Sequence, residues 1–326
     1  MAVLGIESSA HTLGIGIIDG DKFLSNKRVM FPITDKGIIP AELAEFHSKN
    51  VANALKSALD ESSLSMRDIS AIGYTKGPGL GPALNVGAIS AKALALRYKI
   101  PIYPINHALA HLEIVRHVNN FNDPLFLYVS GGNSQILGFN EEKDKYHIYG
   151  ETFDIGIGNM LDNFARAAKL IPAWGSSVAA LAENGNYIRM PYTVKGMDFT
   201  FTGLLTHAIK MLDNSKINKS DIAYSLQETA FSMLCEATER ALMLTKKKEL
   251  GICGGVAQSV RLKAMLKCIA NEHKIKFGFV ENQFNADNGA MIALVAQKML
   301  KNGIISDINN CNINQRFRID TVMVHK

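Results

Sequence analysis

The fold of this chain is decided by a stretch that occurs twice: LGIESSAHTLGIGII at residues 4–18 and LYVSGGNSQILGF at residues 127–139. Each copy consists of an apolar run, a short turn of small and polar residues, and a second apolar run, which predicts a β-hairpin. Because the pattern opens each half of the chain, it predicts a duplicated domain. We therefore expect a first domain at residues 1–123 and a second at residues 124–326.

Between and after the hairpins, strand and helix patterns alternate. Apolar residues at helical spacing predict helices at 43–59 and 221–244, whereas short apolar runs predict strands at 69–74 and 250–253. The Gly/Pro stretch at 76–82 predicts a shaped turn, because glycine and proline disfavour helix and central strand. This alternation is typical of an α/β protein, and we expect its two halves to face each other across a cleft.

Composition excludes several classes of protein. The chain has 326 residues, of which 47% are hydrophobic and 20% charged, so it can form a globular core. No apolar run reaches the roughly 18 residues that cross a bilayer, and Glu7 interrupts the apolar N-terminus, which argues against a signal peptide. The four cysteines form no CxxC pair. We expect a cytoplasmic protein without a membrane segment, a zinc ribbon or a disulfide scaffold.

The net charge of +5 is concentrated in the second half of the chain. Residues 195–276 hold 13 Lys and Arg against 8 Asp and Glu, and 13 − 8 accounts for the whole excess. An anionic partner and an ordinary solvated surface both explain this bias.

Two histidines form the clearest candidate for metal binding. His107 and His111 in NHALAHLE are four residues apart and share one face of a helix, a spacing that suits two imidazoles on one metal. Two unrelated histidines would show the same spacing. A zinc peptidase is excluded, because Ala108 stands where the HExxH motif needs glutamate. Further ligands must come from elsewhere in the chain.

Three glycine-centred turns follow predicted strands, at 130–132, 156–158 and 254–255. Glycine lets the backbone approach a phosphate, and a helix N-terminus that follows supplies N–H donors. Together with the ADNG sequence before the last helix, the turns favour a nucleotide-type ligand. Neither a GxxxxGK[ST] P-loop nor a Rossmann GxGxxG is present, which argues against an ordinary P-loop NTPase and a Rossmann dehydrogenase.

Four acidic residues are candidates for a site. Asp154, Asp162 and Asp287 lie beside glycine turns or helix starts, where helix capping and ligand binding are both open. Glu7 ends the first strand, and a carboxylate next to an inner strand is costly unless it is paired or functional. Glu7 is therefore the candidate catalytic residue.

Eight motifs occur in order along the chain: GIESSAHT, KGPGLGPAL, NHALAHLEIVR, LYVSGGNSQI, GETFDIGIGNMLDNFAR, FTFTGLL, CGGVAQSVRL and ADNGAMIA. Together they resemble the universal tRNA threonylcarbamoyl transferase family, and within it the archaeal and eukaryotic catalytic subunit of the KEOPS complex. The resemblance extends from residue 3 to about residue 318. It implies an actin-, Hsp70- and sugar-kinase-like α/β fold, in which two duplicated ribonuclease H-like domains surround a nucleotide cleft.

The resemblance also implies a set of site residues. The metal ligands would be His107, His111, Tyr128 and Asp287. The residues implied to bind the adenylate are Tyr128, Val129, Ser130, Gly131, Gly132, Asp162 near the ribose, Gly175 beside the base, and Ser259. The first domain would carry the HxxxH helix, and the second the adenylate-binding turns and a helical insertion.

Three positions depart from the family pattern. Ser259 replaces an asparagine that contacts the adenylate, Ala179 replaces a glutamate, and Ala41 replaces an arginine. A serine can still form a hydrogen bond at a helix start, but an alanine cannot replace a carboxylate. These departures concern nucleoside recognition rather than the reaction class.

The reaction implied by the resemblance moves a threonylcarbamoyl group from threonylcarbamoyl-AMP to N6 of the adenosine that follows the tRNA anticodon. The implied cofactors are one divalent metal, with Fe(II) favoured over Zn(II) by the phenolate of Tyr128, and a nucleotide, either threonylcarbamoyl-AMP or ATP. The implied partners are tRNA and the KEOPS subunits: a small kinase or ATPase, a small dimerising subunit and an accessory tRNA-binding subunit. An actin- or Hsp70-like ATPase and a tRNA-binding scaffold subunit are the alternatives.

Overall fold

A computed structural model describes residues 1–32 and 37–324 of the chain. Its strands are β1 (Ala2–Glu7), β2 (Thr12–Asp19), β3 (Lys22–Met30), β4 (Ile69–Gly77), β5 (Ile102–Asn106), β6 (Leu125–Val129), β7 (Ser134–Asn140), β8 (Lys145–Glu151), β9 (Val194–Lys195), β10 (Asp198–Phe199), β11 (Glu249–Cys253) and β12 (Lys276–Gly278). Its α-helices are α1 (Pro40–Ser62), α2 (Gly81–Tyr98), α3 (His107–Val118), α4 (Ile157–Ala167), α5 (Gly175–Ala182), α6 (Thr202–Leu212), α7 (Lys219–Thr245), α8 (Val260–Glu272), α9 (Asn282–Asn285) and α10 (Gly289–Lys301).

The chain forms two compact units that do not follow one cut along the sequence. The first unit contains Met1–Ile114, Glu142–Lys145 and Glu281–Lys326, and the second contains Val115–Glu141 and Tyr146–Val280. The sequence-based division at residue 123 placed the C-terminal segment with the second domain. In the structure that segment belongs to the first unit, because α10 packs against β1, β2 and β4.

The first unit is built on a five-stranded mixed sheet in the order β3-β2-β1-β4-β5. Antiparallel pairing joins β1 to β2 and β2 to β3, whereas β4 runs parallel to both β1 and β5. Every residue of β1 is buried, as is typical of an inner strand covered on both faces. The strand therefore ends with Glu7 inside the protein rather than at its surface.

Glycines in β1 and β2 allow α10 to lie directly on the sheet backbone. A Cβ atom added at Gly5 would lie 2.1 Å from the carbonyl oxygen of Gly289, and one at Gly16 would lie 2.2 Å from the nitrogen of Ala290. Real Cβ atoms do not approach backbone so closely, so these positions require glycine. The contact fixes the first turn of α10, which begins two residues after Asp287, against β1 and β2.

The second unit repeats the plan of the first. Its sheet has the order β12-β11-β6-β7-β8, which corresponds strand for strand to β5-β4-β1-β2-β3. The hairpin pair β6–β7 is antiparallel, and β11 is parallel to both β6 and β12. The duplicated hairpin predicted from the sequence is therefore confirmed. Helices α4 to α8 contribute to the hydrophobic core on this sheet.

The turn within the Gly/Pro stretch at 76–82 is shorter than the composition of that stretch predicts. Strand β4 continues to Gly77 and α2 begins at Gly81. The reason is that Pro82 occupies the first turn of α2, where a helix needs no N–H from that residue. Among the described residues, no helix combines the length and the apolar character needed to cross a membrane.

Replacing Gly16 by alanine (Gly16→Ala) is expected to lower the free energy of unfolding by about 1–3 kcal/mol, because the added Cβ overlaps the start of α10. Denaturant unfolding measures this change. Gly203→Ala, at the second position of α6, is the matched control, since its Cβ meets nothing within 4 Å. There alanine is expected to raise stability by roughly 0.5–1 kcal/mol. Equal effects at the two positions would contradict the close contact of α10 with the sheet.

Candidate metal centre

Glu7 is the buried carboxylate of the first unit that organises the site. Its side chain has no solvent exposure. One oxygen accepts a hydrogen bond from the backbone N–H of Ser9 at 2.6 Å, and the other accepts from the Thr75 hydroxyl at 2.6 Å. The second oxygen also lies 2.9 Å from Nδ1 of His107. Both oxygens are thus held by neighbouring groups, and the carboxylate has one orientation.

His107 is the first residue of α3, and Glu7 orients its ring through the contact with Nδ1. Because a carboxylate only accepts hydrogen bonds, Nδ1 of His107 carries a proton and Nε2 is the nitrogen that points away. Asn106 caps the helix, since its Oδ1 accepts from the N–H of Leu109 at 3.0 Å. Its amide nitrogen donates to the carbonyl of Phe317 at 2.8 Å. The strand, the helix start and the C-terminal segment are therefore joined at this residue.

His111 follows one helical turn after His107 on the same face of α3. Both side chains are buried, and their rings lie 4.7 Å apart in an edge-to-face arrangement. The Nε2 atom of His111 is 3.4 Å from Oδ1 of Asp287. The helical register predicted from the spacing therefore brings both imidazoles to one point.

Asp287 reaches this point because it does not cap the helix that it precedes. The cap of α10 is Asn288, whose Oδ1 accepts from the N–H of Met291 at 3.0 Å and whose amide donates to the carbonyl of Ala286 at 2.8 Å. The Asp287 carboxylate faces the histidines instead, with Oδ1 at 3.5 Å from Nε2 of His107. Helix capping, the alternative that the sequence left open for Asp287, is performed by its neighbour.

The donor atoms of His107, His111 and Asp287 all lie within 4.8 Å of one another. Ligands at about 2.0 Å from a tetrahedral metal are separated by about 3.3 Å, close to the 3.4 and 3.5 Å that separate the carboxylate from each imidazole. Imidazole and carboxylate are common ligands of divalent first-row metals. The contact from Glu7 to His107 is the carboxylate–histidine arrangement that orients metal ligands. The cluster therefore fits a divalent cation.

The charges within the cluster shift the pKa values of its members. Burial raises the pKa of Glu7, but the charge and hydrogen bond of His107 outweigh burial and leave that pKa below its usual range. Burial lowers the pKa of His107, yet the charges of Glu7 and Asp287 raise it to about 9. Burial keeps the pKa of His111 below its ordinary value. For Asp287, His107 and His111 outweigh burial and lower the pKa. In the absence of metal, two carboxylates thus share one positive charge on His107.

The remaining residues that the resemblance implied lie in the second unit. Tyr128 and Val129 end β6 and are buried, whereas Gly131 and Gly132 in the turn after it are exposed. The carbonyl groups of Ser130 and Gly131 accept hydrogen bonds from the N–H groups of Gly158 and Asn159 at 3.1 and 3.0 Å. The expectation that the start of α4 offers free N–H donors is therefore wrong at Gly158 and Asn159, because both N–H groups already donate to carbonyl groups of the turn.

Three other polar residues support helix starts in the second unit. Asp162 accepts a hydrogen bond from the N–H of Gly175, the first residue of α5, at 2.8 Å. The hydroxyl of Ser259 accepts from the N–H of Leu262 at 3.3 Å and caps α8. Asp154 accepts from the N–H of Thr202 at 2.8 Å, at the start of α6. Capping, which the sequence left open for Asp154 and Asp162, is thus among their roles.

The glycine turn at 254–255 has a structural role at one of its two positions. Gly254 has φ +95°, and a Cβ there would lie 2.3 Å from the carbonyl oxygen of Val129. This glycine therefore allows the end of β11 to pass close to the end of β6. Gly255 has open space around its Cα and begins a short 3-10 helix, Gly255–Gln258.

Four residues that contribute to the centre were not singled out from the sequence: Ser9, Thr75, Asn106 and Asn288. Asn106 and Asn288 stand directly before helices, where asparagine is a favoured N-cap, so a search for capping residues would have found both. Thr75 lies near the end of β4 and is brought to Glu7 only by the pairing of β1 with β4. Nothing in the local sequence of Thr75 indicates that contact.

Comparison with known proteins finds relatives whose sequences match this chain over almost its whole length. A family model described as "TsaD: tRNA N6-adenosine threonylcarbamoyltransferase" matches residues 22–294. A tRNA N6-adenosine threonylcarbamoyltransferase of Thermococcus sibiricus is 47% identical over 325 residues, covering 99% of both chains. One of Sulfurisphaera tokodaii is 44% identical over 333 residues, covering 99% of this chain and 98% of the relative.

Solved structures resemble the chain in fold at low sequence identity. HypF in its phosphate- and nucleotide-bound form superposes with a TM-score of 0.64 at 11% identity, over 94% of this chain and 47% of that one. The activator of the 2-hydroxyisocaproyl-CoA dehydratase from Clostridium difficile gives 0.54 at 12% identity, over 93% and 97%. These likenesses and the repeated sheets confirm the actin-, Hsp70- and sugar-kinase-like α/β fold.

Replacing Glu7 by glutamine (Glu7→Gln) is expected to weaken divalent-metal binding by about 10- to 100-fold, because the support of His107 loses its charge. Titration of metal into the metal-free protein, followed by calorimetry, measures this affinity. Glu45→Gln is the control, since Glu45 is an exposed residue that pairs with Lys49 on α1. Unchanged affinity in Glu7→Gln, with the fold verified by circular dichroism, would show that Glu7 does not position a ligand.

Metal binding is expected to release about one proton at neutral pH, because a metal must displace the proton from an imidazole whose pKa lies near 9. The apparent affinity should therefore fall about tenfold for each pH unit below that value. Calorimetric titration in buffers of different ionisation enthalpy counts the protons. Affinity that stays constant between pH 6 and 8 would contradict the raised pKa of His107.

Proposed function

The chain belongs to the tRNA N6-adenosine threonylcarbamoyltransferase family, and we propose that it transfers a threonylcarbamoyl group from threonylcarbamoyl-AMP to N6 of an adenosine in tRNA. The observation that carries this proposal is the convergence of His107, His111 and Asp287 in a chain that matches transferases of that name over almost its entire length.

The reaction is an acyl transfer from an activated donor to a weak nucleophile. The N6 lone pair is delocalised into the adenine ring, whereas the donor is a mixed carbamic–phosphoric anhydride. A bond forms between N6 and the carbamoyl carbon, the bond from that carbon to the phosphate oxygen breaks, and AMP departs with the electron pair. N6 gives up one proton, which passes to the solvent. The protein must therefore hold two substrates in line and stabilise negative charge on the leaving phosphate.

A divalent metal bound to this centre would act as a Lewis acid towards the donor and the departing AMP. His107, His111 and Asp287 would hold it, and Glu7 would keep Nε2 of His107 facing it. Because the Glu7 oxygens are already occupied by Ser9, Thr75 and His107, the role that we propose for Glu7 is positioning of a ligand. It is not proposed as a general base.

The proposal includes Fe(II) rather than Zn(II) as the metal. Its support is Tyr128, which the family resemblance supplies as a fourth ligand, because a phenolate ligand is more typical of iron sites. Elemental analysis of protein purified without added metal distinguishes the two ions.

The proposal places the nucleotide on the residues Tyr128, Val129, Ser130, Gly131, Gly132, Asp162, Gly175 and Ser259. Exposed Gly131 and Gly132 support a close approach of a phosphate to the turn. Because the Ser259 hydroxyl caps α8, a nucleotide contact would use the second lone pair or the hydroxyl proton of that group. Threonylcarbamoyl-AMP is the proposed ligand, and ATP the alternative.

A cytoplasmic complex with tRNA and KEOPS-like subunits is also part of the proposal. The subunits are a small kinase or ATPase, a small dimerising protein and an accessory tRNA-binding protein. The family resemblance is the main support. A second argument is that a net charge of +5 is small for tight binding of a polyanion by one chain, so additional RNA-binding surface from partners is expected.

The double variant His107→Ala/His111→Ala is expected to lose bound metal and to lower the transfer rate by about 100-fold or more, because several kcal/mol of charge stabilisation disappear. The assay follows labelled threonine into tRNA, with threonylcarbamoyl-AMP as donor and partner subunits supplied. His207→Ala, an exposed histidine on α6, is the control and should retain both properties. Full activity in the double variant would disprove the assignment. Rapid ATP turnover by wild-type protein without transfer would favour an actin- or Hsp70-like ATPase.

A further inference from the structure

A pocket lined by tyrosines lies within the second unit, apart from every residue assigned above. It has a volume of about 260 Å³ and lies between α7 and the irregular segment 185–193. We call it the tyrosine pocket, and its lining residues are Tyr187, Tyr192, Tyr224, Glu228, Thr229 and Ser232. Clefts that hold whole drug-sized ligands measure roughly 300–1,000 Å³. The tyrosine pocket is therefore suited to a single ring system.

Segment 185–193 is held in place by side chains along one face of α7. The hydroxyl of Ser225 accepts a hydrogen bond from the N–H of Ile188 at 2.7 Å. Three helical turns further on, Glu236 accepts a hydrogen bond from the hydroxyl of Tyr192. Because these anchors come from a long, regular helix, the tyrosine pocket is preformed and needs little ordering when a ligand enters.

The tyrosines of this segment present aromatic surface to solvent. Tyr187 is 57% exposed and Tyr192 is 49% exposed, although each hydroxyl is tied to α7 by Thr229 or Glu236. The rings are thus fixed at one end while about half of each residue stays exposed to solvent. An exposed, immobilised aromatic ring is a stacking platform for a planar ligand, and nucleobases stack on such rings without sequence preference.

Positive charge accompanies these tyrosines. Arg189 lies between them in the sequence, Lys195 follows shortly after, and both are exposed. Glu228, which lines the tyrosine pocket, forms a two-pronged ion pair with Arg261 at 2.8 and 2.6 Å, which neutralises the carboxylate. Basic and aromatic side chains that alternate along one segment match the alternating phosphates and bases of a single-stranded nucleic acid.

We propose that the tyrosine pocket receives one unstacked base of the RNA substrate, while Arg189 and Lys195 contact the adjoining phosphates. The inference rests on the proposed function, because it takes the RNA to be the tRNA that receives the threonylcarbamoyl group. It adds a contact that recognises an open loop rather than a base-paired stem. A protein side chain docking in the tyrosine pocket is the competing explanation, and the test below separates the two.

The test compares two RNAs at fixed salt concentration: a fluorescent tRNA anticodon stem–loop and a fully base-paired duplex of equal length. Fluorescence anisotropy gives the Kd of each for the full chain. Tyr187→Ala and Tyr192→Ala are expected to raise the Kd for the stem–loop about 5- to 100-fold, the range expected for losing one stacked base. The Kd for the duplex is expected to change less than about twofold, because a paired base cannot enter the pocket.

Conservative variants separate stacking from a structural role of the hydroxyls. Tyr187→Phe and Tyr192→Phe keep the ring but lose the anchor to α7, and they are expected to raise the Kd for the stem–loop less than the alanine variants do. Arg189→Ala and Lys195→Ala are expected to weaken the binding of both RNAs. Each is also expected to reduce the slope of log Kd against log salt concentration by about one, the amount expected for the loss of one phosphate contact. Tyr98→Ala, a partly exposed tyrosine at the end of α2, is the control and should change neither Kd.

Four results would overturn the inference. They are no binding of the stem–loop by wild-type protein, equal effects of the tyrosine variants on both RNAs, no effect on either, and an effect that appears only when a protein partner is present. A failure of the proposed function is detected separately, by the transfer assay.

Discussion

The contact between α10 and the glycines of β1 and β2 is the constraint on which the candidate metal centre depends. It requires backbone to pack on backbone at Gly5 and Gly16, and it brings a segment that begins more than 250 residues later in the chain onto the first sheet. Without this contact, Asp287 would have no fixed relation to the histidines of α3. The centre is therefore a property of the tertiary fold, although each of its side chains stands on an ordinary strand end or helix start.

Glu7 adds the second requirement, because a fully buried carboxylate must be neutralised where it stands. The protein meets this requirement with a backbone N–H, a hydroxyl and an imidazolium. The same groups fix the orientation of His107. The energetic demand of burying one charge and the geometric demand of aiming one ligand are thus satisfied by a single set of hydrogen bonds.

The sequence predicted a large part of this arrangement, and the physical reasons for its limits are specific. Periodicity and turn residues identified the duplicated hairpin, since both are local signals. The spacing of His107 and His111 predicted a shared face for the same reason. The place of Asp287 came from family resemblance, because a contact between residues so distant leaves no local pattern. Thr75 was missed because strand pairing alone brings it to Glu7. The C-terminal segment was assigned to the second domain, because nothing local in its sequence indicates that the chain returns to the first sheet.

The cap of α10 has a consequence for how the centre is filled. Asn288 rather than Asp287 satisfies the N-terminus of α10. The Asp287 carboxylate can therefore exchange its contact with the protonated His107 for a contact with a metal ion without disturbing the helix. The metal-free and metal-loaded proteins should then share one backbone conformation. Loading becomes a matter of ion supply and proton loss rather than of refolding, and a chain that has lost its metal is ready to accept another.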